Sequence, residues 1–283
     1  GVFEQINPIA QASGARLVHC CGFDSIPSDL SVYLLQQQFK ARYGCYASHI
    51  SGRMGRASGG VSGGTVASLM FVAEQASKDA SIRDTVMDPY ALYPANVTPG
   101  NDVPDQAGIA WDENFESWTG PFVMAGINTK VVRRSHALAG LPYGADFRYD
   151  ESQLCGSRTK ALLSAGGLGT LMAGTFFSPT RAVLKKLLPD PGEGPDEATR
   201  TNGFFEFWAH GTDGSHHLKV KVSGQRDPGY GATSRMLAQA GLCLSRDALT
   251  VGGGIWTPAS ALGDALLDRL PGVDIHCSVV EDD

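Results

Sequence analysis

A short turn near the start of the chain carries residue types that can hold an anion. The segment Cys21-Gly-Phe-Asp-Ser-Ile-Pro27 follows an apolar run at 15–20, which predicts a buried strand, and precedes a helix predicted over 26–40. Open α/β sheets bind ligands at the carboxyl ends of their strands, and a helix N-terminus offers N–H groups and a partial positive charge. The turn is therefore a candidate ligand site. The alternative is that Gly22 and Pro27 only shape the turn, while Asp24 or Ser25 caps the helix.

A glycine-rich segment contains the letters of two known motifs. Gly59 and Gly64 have the outer spacing of a phosphate-binding P-loop, but position 65 is Thr where that motif needs Lys. Gly60-x-Ser62-x-Gly64 has the letters of a nucleophile elbow, which requires a strand running straight into the turn. A serine hydrolase that uses Ser62, with His276 as its candidate partner, is a further alternative.

The same segment leads into a helix predicted over 65–78. Backbone N–H groups at a helix N-terminus can hold a carboxylate or a phosphate. We therefore predict substrate contacts here from Ser62, Gly63, Gly64 and Thr65. The alternative is that the glycines only form a crossing between two domains.

Later segments add three candidates for substrate binding. A helix predicted over 128–139 begins at Asn128 and carries Arg133 and Arg134. The two guanidinium groups can bind an anionic head group. The alternative is that the arginines lie on a solvated face of the helix. Tyr230 follows a turn in which Asp227 can cap a helix, and its hydroxyl either donates a proton or only packs. We assign no catalytic acid, and we predict no metal site because no Cys or His spacing is that of a zinc finger.

Composition narrows the class of protein. The chain has 283 residues, 42% hydrophobic and 18% charged, which is typical of a folded globular protein. Its 23 Lys and Arg against 29 Asp and Glu give a net charge of −6, which argues against a nucleic-acid partner. The six cysteines include no C-x-x-C pair, so a reducing, cytoplasmic location is the simpler expectation.

One long segment carries no charge. Residues 161–180 have the length of a bilayer span, but their many Gly, Ser and Thr residues favour a buried or interfacial helix. Gly166, Thr170 and Gly174 repeat every four residues, which lets another helix approach closely. The segment therefore predicts peripheral membrane contact or a dimer interface. The first twelve residues show no signal peptide.

The order of the elements predicts the fold class. Strands are predicted at 15–20, 46–54 and 143–154, a hairpin at 202–223 and a final strand at 273–280, with helices between them and an irregular region at 81–120. We expect an α+β substrate and dimerisation domain attached to a remnant of a doubly wound, Rossmann-like α/β sheet. The predicted boundaries are 1–40 for the remnant, 41–250 for the substrate domain, and 251–283 for a helix and strand that return to the first unit.

Five ordered segments resemble the saccharopine dehydrogenase-like oxidoreductases, a group that includes trans-acting enoyl reductases. They are Val18-His-Cys-Cys-Gly-Phe-Asp-Ser-Ile-Pro-Ser-Asp-Leu30, Ser62-Gly-Gly-Thr-Val-Ala-Ser68, Asn128-Thr-Lys-Val-Val-Arg-Arg134, Asp227-Pro-Gly-Tyr230 and Gly253-Gly-Ile-Trp-Thr-Pro-Ala259. The resemblance implies hydride transfer with NAD or NADP. It also implies that one turn lines the nicotinamide or substrate side of the cleft, through Gly22, Phe23, Asp24, Ser25 and Pro27.

The resemblance fails at one point. Members of this family open with a Rossmann unit whose G-x-G-x-x-G turn grips the pyrophosphate, and that motif does not occur in this sequence. We therefore expect the chain to be the rear portion of such an enzyme, with negligible affinity for the cofactor by itself.

Three functions follow from these patterns. The first is the substrate and dimerisation region of an NAD(P)-dependent oxidoreductase, a homodimer acting on a small or lipid-like substrate. The second is a non-catalytic binding or membrane-surface module, and the third is the serine hydrolase using Ser62.

Overall fold

The structure is a computed structural model that describes residues 2–60, 63–100, 104–176 and 192–281. Its helices are α1 (Val2–Ser13), α2 (Ile26–Tyr43), α3 (Gly63–Lys78), α4 (Ala80–Met87), α5 (Ala125–Leu138), α6 (Arg158–Phe176), α7 (Glu197–Asn202), α8 (Thr233–Arg246), α9 (Pro258–Ala261) and α10 (Gly263–Arg269). Its strands are β1 (Arg16–Val18), β2 (His49–Ser58), β3 (Ala110–Asp112), β4 (Ser117–Gly120), β5 (Arg148–Leu154), β6 (Phe204–Thr212), β7 (His217–Gln225), β8 (Gly254–Trp256) and β9 (Ile275–Val280).

A seven-stranded mixed sheet forms the centre of an α+β fold. Its order is β3-β4-β5-β2-β6-β7-β9, with β2 and β5 parallel and the other neighbours antiparallel. Because side chains alternate along a strand, Tyr149 and Glu151 of β5 lie on one face and Asp150 on the other. We call the face of Glu151, which α2 and α5 cover, the inner face, and that of Asp150 the outer face.

A second, two-stranded sheet joins the beginning and the end of the described chain. Strand β1 pairs in parallel with β8, with Leu17 opposite Ile255. The side chain of Asn7 in α1 accepts a hydrogen bond from the Ile255 N–H, at 2.8 Å. Residues of 251–283 thus contact both sheets, since β9 belongs to the larger one. The division at 40 and 250 stays a prediction.

Helix α2 lies across the inner face and contributes to both parts of the core. Ile26 and Leu30 pack with Phe205, Phe207 and residues of α8 and α10. Farther along the helix, Leu35 and Phe39 pack in a second cluster. The sequence predicted one apolar face for this helix. Instead α2 is buried on more than one side, and several of its buried residues are polar, namely Ser28, Asp29, Ser31 and Gln36.

Three sequence predictions need correction. The region 81–120 is not wholly irregular, because it contains most of α4 and the hairpin β3–β4, whose strand β4 pairs with β5. The strand predicted at 143–154 begins only at Arg148, after a turn in which Gly144 has φ 90°. Cys20 does not lie in a strand, since its φ of 60° is left-handed and β1 ends at Val18.

Helix α6 covers the described part of the uncharged segment, and 177–180 lie outside the described residues. Leu162 and Leu163 are exposed on it, and a Cβ atom at Gly166 would meet no atom within 4 Å. The row of small residues Gly166, Thr170 and Gly174 is thus uncovered at Gly166. Among the described helices, none has the length and apolar character that crossing a bilayer requires.

Candidate functional site

The predicted turn at Gly22–Pro27 is held from two sides. The Gly22 carbonyl accepts hydrogen bonds from the N–H groups of Ser25 and Ile26, at 3.3 and 3.0 Å. The Phe23 N–H donates to the Thr233 hydroxyl at 3.0 Å, and the Phe23 ring packs edge-on against Phe205. Three N–H groups that an anion would need are therefore already engaged. Asp24 is exposed, and Pro27 is buried in the first turn of α2.

Ser25 does not cap α2 with its side chain, contrary to one sequence prediction. Its hydroxyl is fully buried and donates to the Asn128 Oδ1 atom at 3.1 Å. The amide of Asn128 in turn donates to Glu151 Oε2 at 3.0 Å. Two predicted site residues thus meet, and they connect the turn to a carboxyl group that the sequence did not single out.

Glu151 is the centre of a buried polar cluster formed by Ser25, Ser28, Asn128, Tyr149 and Glu151. Its side chain is fully buried, and Oε1 accepts a hydrogen bond from the Tyr149 hydroxyl at 2.7 Å. Burial raises its pKa to about 7, although hydrogen bonds from Ser28, Tyr149 and Asn128 act in the opposite direction. The carboxyl therefore holds its proton to a higher pH than an exposed glutamic acid does.

Gly52 makes room for this cluster. It lies opposite Glu151 in the parallel pair β2–β5. A Cβ atom at position 52 would lie 2.6 Å from the Tyr149 hydroxyl and 3.0 Å from Glu151 Cγ, which are closer than side chains normally approach. A larger residue at position 52 would displace the carboxyl and its donor together.

A second buried carboxyl, Asp29, ties α2 to α5 and α9. Its Oδ1 accepts from the Ser135 hydroxyl at 2.5 Å, and its Oδ2 accepts from the Ala259 N–H at 2.7 Å. Burial raises the pKa of Asp29 to about 7. Ser135 and Ala259 also line a cleft of about 630 Å³, so this end of the site lies beside a space that a small molecule can enter.

The glycine-rich segment that leads into α3 and the segment that ends at Tyr230 meet at one carbonyl. The oxygen of Glu193 accepts both the Gly63 N–H, at 3.1 Å, and the Tyr230 hydroxyl, at 2.9 Å. Asp227 caps the turn at Pro228–Ala232 through the N–H groups of Tyr230 and Gly231, as the sequence predicted.

Gly64 is exposed and Thr65 half-buried in the first turn of α3, whereas Ser62 lies outside the described residues. The proposed hydrolase partner His276 is exposed on β9, opposite Ser223 of β7.

The arginine pair of α5 is not a solvated face. Arg133 is 3% exposed, and its guanidinium group donates to the carbonyls of Pro89 and Tyr149, each at 3.4 Å. It lines a small cavity of about 210 Å³ apart from the turn. Arg134 is also buried and donates to Ile255 O at 2.9 Å, which fixes β8 to α5.

The outer face of the sheet bears a different polar surface. Arg53 forms ion pairs with Asp112 and Asp150, each at 2.6 Å, and Asp150 also contacts His49 Nε2 at 2.8 Å. A cleft of about 1470 Å³ opens beside it, lined by charged, aromatic and imidazole side chains that include Arg56, Glu206, Trp208, His210, His217 and Lys219.

The predicted site residues thus fall into two hydrogen-bonded groups, one at the turn and one at the Glu193 carbonyl. At the turn, the Ser25 hydroxyl donates to Asn128 and the Phe23 N–H donates to Thr233. At the Glu193 carbonyl, the Tyr230 hydroxyl and the Gly63 N–H both donate. Arg133 contacts the polar cluster through the carbonyl of Tyr149. Sequence reasoning missed Glu151, Asp29 and Thr233. The one signal in the sequence is that Asp29 is followed by ten uncharged residues in α2, which could have suggested a buried acid.

Curated proteins with related sequences point to one family. A predicted trans-acting enoyl reductase of Mycobacterium tuberculosis is 38% identical over 283 residues, which span 94% of this chain and 67% of the relative. A trans-acting enoyl reductase of the same species is 35% identical, and one of Mycobacterium leprae 33%; each match spans 94% of this chain and 68% of the relative. No family model matches the sequence. The chain belongs to the trans-acting enoyl reductase family.

Proposed function

We propose that the chain is the substrate-side part of an NAD(P)-dependent enoyl reductase, built on a saccharopine dehydrogenase-like scaffold. Two observations support this. The relatives are named for enoyl reduction, and they match along 94% of the chain. The observation that carries the site is the meeting of three of the resembling segments at the start of α2, where Ser25 contacts Asn128 and Asp29 contacts Ala259.

The reaction in this proposal adds a hydride and a proton across the carbon–carbon double bond of an enoyl substrate. A bound nicotinamide would supply the hydride. The turn does not fit the pyrophosphate, because the N–H groups of Phe23, Ser25 and Ile26 already have acceptors and the sequence has no G-x-G-x-x-G motif. It fits the uncharged end of the cofactor or the substrate, where a fixed backbone matters more than free N–H groups.

The polar cluster around Glu151 acts as a positioning group in this proposal. Its hydrogen bonds pass from the carboxyl through Asn128 to Ser25, so they fix the first residue before α2 relative to the sheet. Orientation of reacting groups supplies a large part of a catalysed rate. We assign no residue as the proton donor.

The small parallel sheet supports the finer proposal that residues 1–40 belong to a dinucleotide-binding unit. Strand β1 leads through the turn into α2, and β8 pairs with it in parallel, which is the arrangement of a doubly wound sheet. Within the described residues each of these two strands has one neighbour in this sheet, so further strands can add to either edge.

The lipid-like substrate, the homodimer and the peripheral membrane contact are proposals too. Leu162 and Leu163 of α6 and Phe71 of α3 are exposed apolar side chains on two helices that contact each other, which supports these proposals. The cytoplasmic location likewise stays a proposal.

The test is an assay of NADPH oxidation with an enoyl thioester as substrate. The reaction is monitored by the loss of NADPH absorbance and by detection of the saturated product. It is run on the 283-residue chain and on the full product of its gene. We expect turnover by the gene product. Absence of turnover with every enoyl thioester, by a product that binds NADPH, would overturn the proposal. Calorimetric titration of the 283-residue chain with NADPH is expected to give no measurable binding, and micromolar binding would contradict that expectation.

A matched pair of variants locates the site. Gly22→Leu places a side chain at the turn, where a Cβ atom would lie 3.0 Å from Thr233 Cγ2, whereas Gly108→Leu adds the same side chain in open space. We expect Gly22→Leu to lower kcat/KM by about tenfold or more, since displacement of positioning groups by an ångström has effects of this size. Gly108→Leu should match the wild type. Full activity in a folded Gly22→Leu protein would place the substrate elsewhere.

A further inference from the structure

We infer that the end of α2 remote from the turn carries a zinc site, formed by Cys45, Asp213 and His216. The Sγ, carboxylate oxygen and imidazole nitrogen atoms of these residues all lie within 4.8 Å of one another. Cys45 Sγ is 3.2 Å and His216 Nδ1 is 2.9 Å from Asp213 Oδ2. Bonds to zinc of about 2.0–2.3 Å in a tetrahedron separate neighbouring ligands by about 3.3–3.7 Å, so small side-chain shifts would admit the ion.

Two loops bring the three ligands together. Cys45 follows Gly44, which ends α2 with a left-handed φ of 78° and turns the chain towards the sheet. Asp213 and His216 lie in the four-residue connection between β6 and β7, whose last and first paired residues are Thr212 and His217. The ligands therefore come from segments that are distant in sequence.

The ligand side chains are held in place without an ion. Asp213 Oδ1 accepts from the N–H groups of Ser215 and His216, at 2.8 and 2.7 Å, which leaves Oδ2 for the two other ligands. The imidazole of His216 stacks on the Tyr43 ring, with centroids 4.3 Å apart. The Tyr43 hydroxyl donates to the His217 carbonyl at 3.2 Å and so fixes α2 to the hairpin. Both fixed side chains lower the ordering cost of binding.

The donor types select the ion. A thiolate and an imidazole favour zinc over calcium or magnesium, which take oxygen ligands. Cys45 and His216 are exposed, so a water molecule can complete the tetrahedron. On binding, the thiol of Cys45 releases its proton to solvent and forms a Zn–S bond. The imidazole of His216 releases the Nδ1 proton that it donates to Asp213, takes up a proton from solvent at Nε2, and binds zinc through Nδ1 as the neutral tautomer.

The position of the site indicates a structural role. Helix α2 has 18 residues, a length of about 27 Å, and the turn at Gly22–Pro27 is at its other end. A zinc ion here would clamp the C-terminal end of α2 to the β6–β7 hairpin and would stabilise the fold without contacting the substrate. This inference is independent of the proposed enoyl reductase activity.

Zinc titration against a chromogenic chelator tests the site, with Cys45→Ser and His216→Gln as ligand variants. The matched controls are Cys155→Ser and His276→Gln, which change the same residue types away from the hairpin. We expect one zinc per wild-type chain, a higher Tm with zinc, and a loss of at least about tenfold in affinity in each ligand variant. The controls should bind as the wild type does.

Cobalt provides a second readout. A thiolate bound to Co²⁺ gives a charge-transfer band in the near ultraviolet, which should appear in the wild type and be absent in Cys45→Ser. Two results would overturn the inference. One is no zinc binding by the wild-type chain at micromolar concentration, and the other is binding of equal strength in Cys45→Ser, which would place the ion at other imidazoles such as His210 and His217.

Discussion

Asp150 and Glu151 are neighbours in β5, yet they lie on opposite faces of the sheet. Burial raises the pKa of Glu151 to about 7, and its partners on the inner face are neutral groups: two hydroxyls and an amide. Burial acts on Asp150 in the same direction, but hydrogen bonds and charge from His49 and Arg53 outweigh it, so that its pKa falls below the usual range. One strand thus holds a carboxyl whose pKa is raised beside a carboxyl whose pKa is lowered.

The difference shows that burial alone does not set the charge of an acid. Both side chains are largely removed from water, but the outer face supplies a cation, the Arg53 guanidinium group, within 3 Å of the Asp150 carboxylate. The inner face supplies neutral hydrogen-bond donors, which stabilise the ionised form of Glu151 less strongly than a cation would. The inner face is therefore suited to fixing α2 and its turn, and the outer face to holding charge beside a solvent-filled cleft.

The largest expected effect is the loss of stability when a carboxyl group of the inner face is removed, compared with the loss on the outer face. Glu151→Ala leaves the buried Tyr149 hydroxyl and the Asn128 amide without their acceptor, which should lower the free energy of unfolding by about 3 kcal/mol or more. Glu206→Ala is the matched control on the outer face, where Glu206 pairs with Lys221 and the exposed Arg56. It should cost about 1 kcal/mol or less. Urea unfolding measures both, and equal losses would remove the contrast between the faces.

A smaller effect concerns pH. Because the folded pKa of Glu151 is raised from 4.5 to about 7, its folded form binds the proton more tightly, and its contribution to stability is lost as pH rises from about 4.5 through 7. The change amounts to about 3 kcal/mol at most. Relative to a Glu151→Gln variant, the wild type should therefore lose stability over this range. Urea unfolding at several pH values measures it.

Asp150→Asn gives the opposite sign from the same strand. The folded pKa of Asp150 is lowered, so its contribution is present above its unfolded pKa of about 3.8 and is lost as pH falls below that value. The difference between wild type and Asp150→Asn should therefore shrink only in acid. A pH dependence of equal sign in the two variants would show that the two carboxyls share one environment.

The smallest effect concerns His210 on the outer face. Burial, with the nearby His217 and Lys219, lowers the pKa of His210 to about 4, so its imidazole should stay neutral until the solution is clearly acidic. Its contribution to stability is present above about pH 6.5 and is lost as pH falls through 4. NMR titration of the ring measures this directly. His217→Ala should raise the pKa of His210 in part, and titration near 6.5 in the wild type would exclude the predicted environment.

Several elements could be predicted because their signals are local. The turn before Pro27, the cap at Asp227 and the hairpin around Asp213 each depend on residues within a few positions of one another. Strand β4 and the late start of β5 could not be predicted, because each depends on a partner distant in sequence. The alternative of a solvated face for Arg133 and Arg134 was wrong for the same reason, since both are buried and donate to carbonyls of other segments.

The sequence by itself determined the relation to the trans-acting enoyl reductases, the order of most helices and strands, and the polar turn that leads into α2. The tertiary structure decided which polar groups meet and in what charge state. Tyr149, Asp150 and Glu151 form a polar stretch with no apolar side, so no period in the sequence says which carboxyl faces inward. Pairing of β5 with β2 and packing of α2 and α5 assign the faces, and desolvation against neutral or cationic partners then sets each pKa.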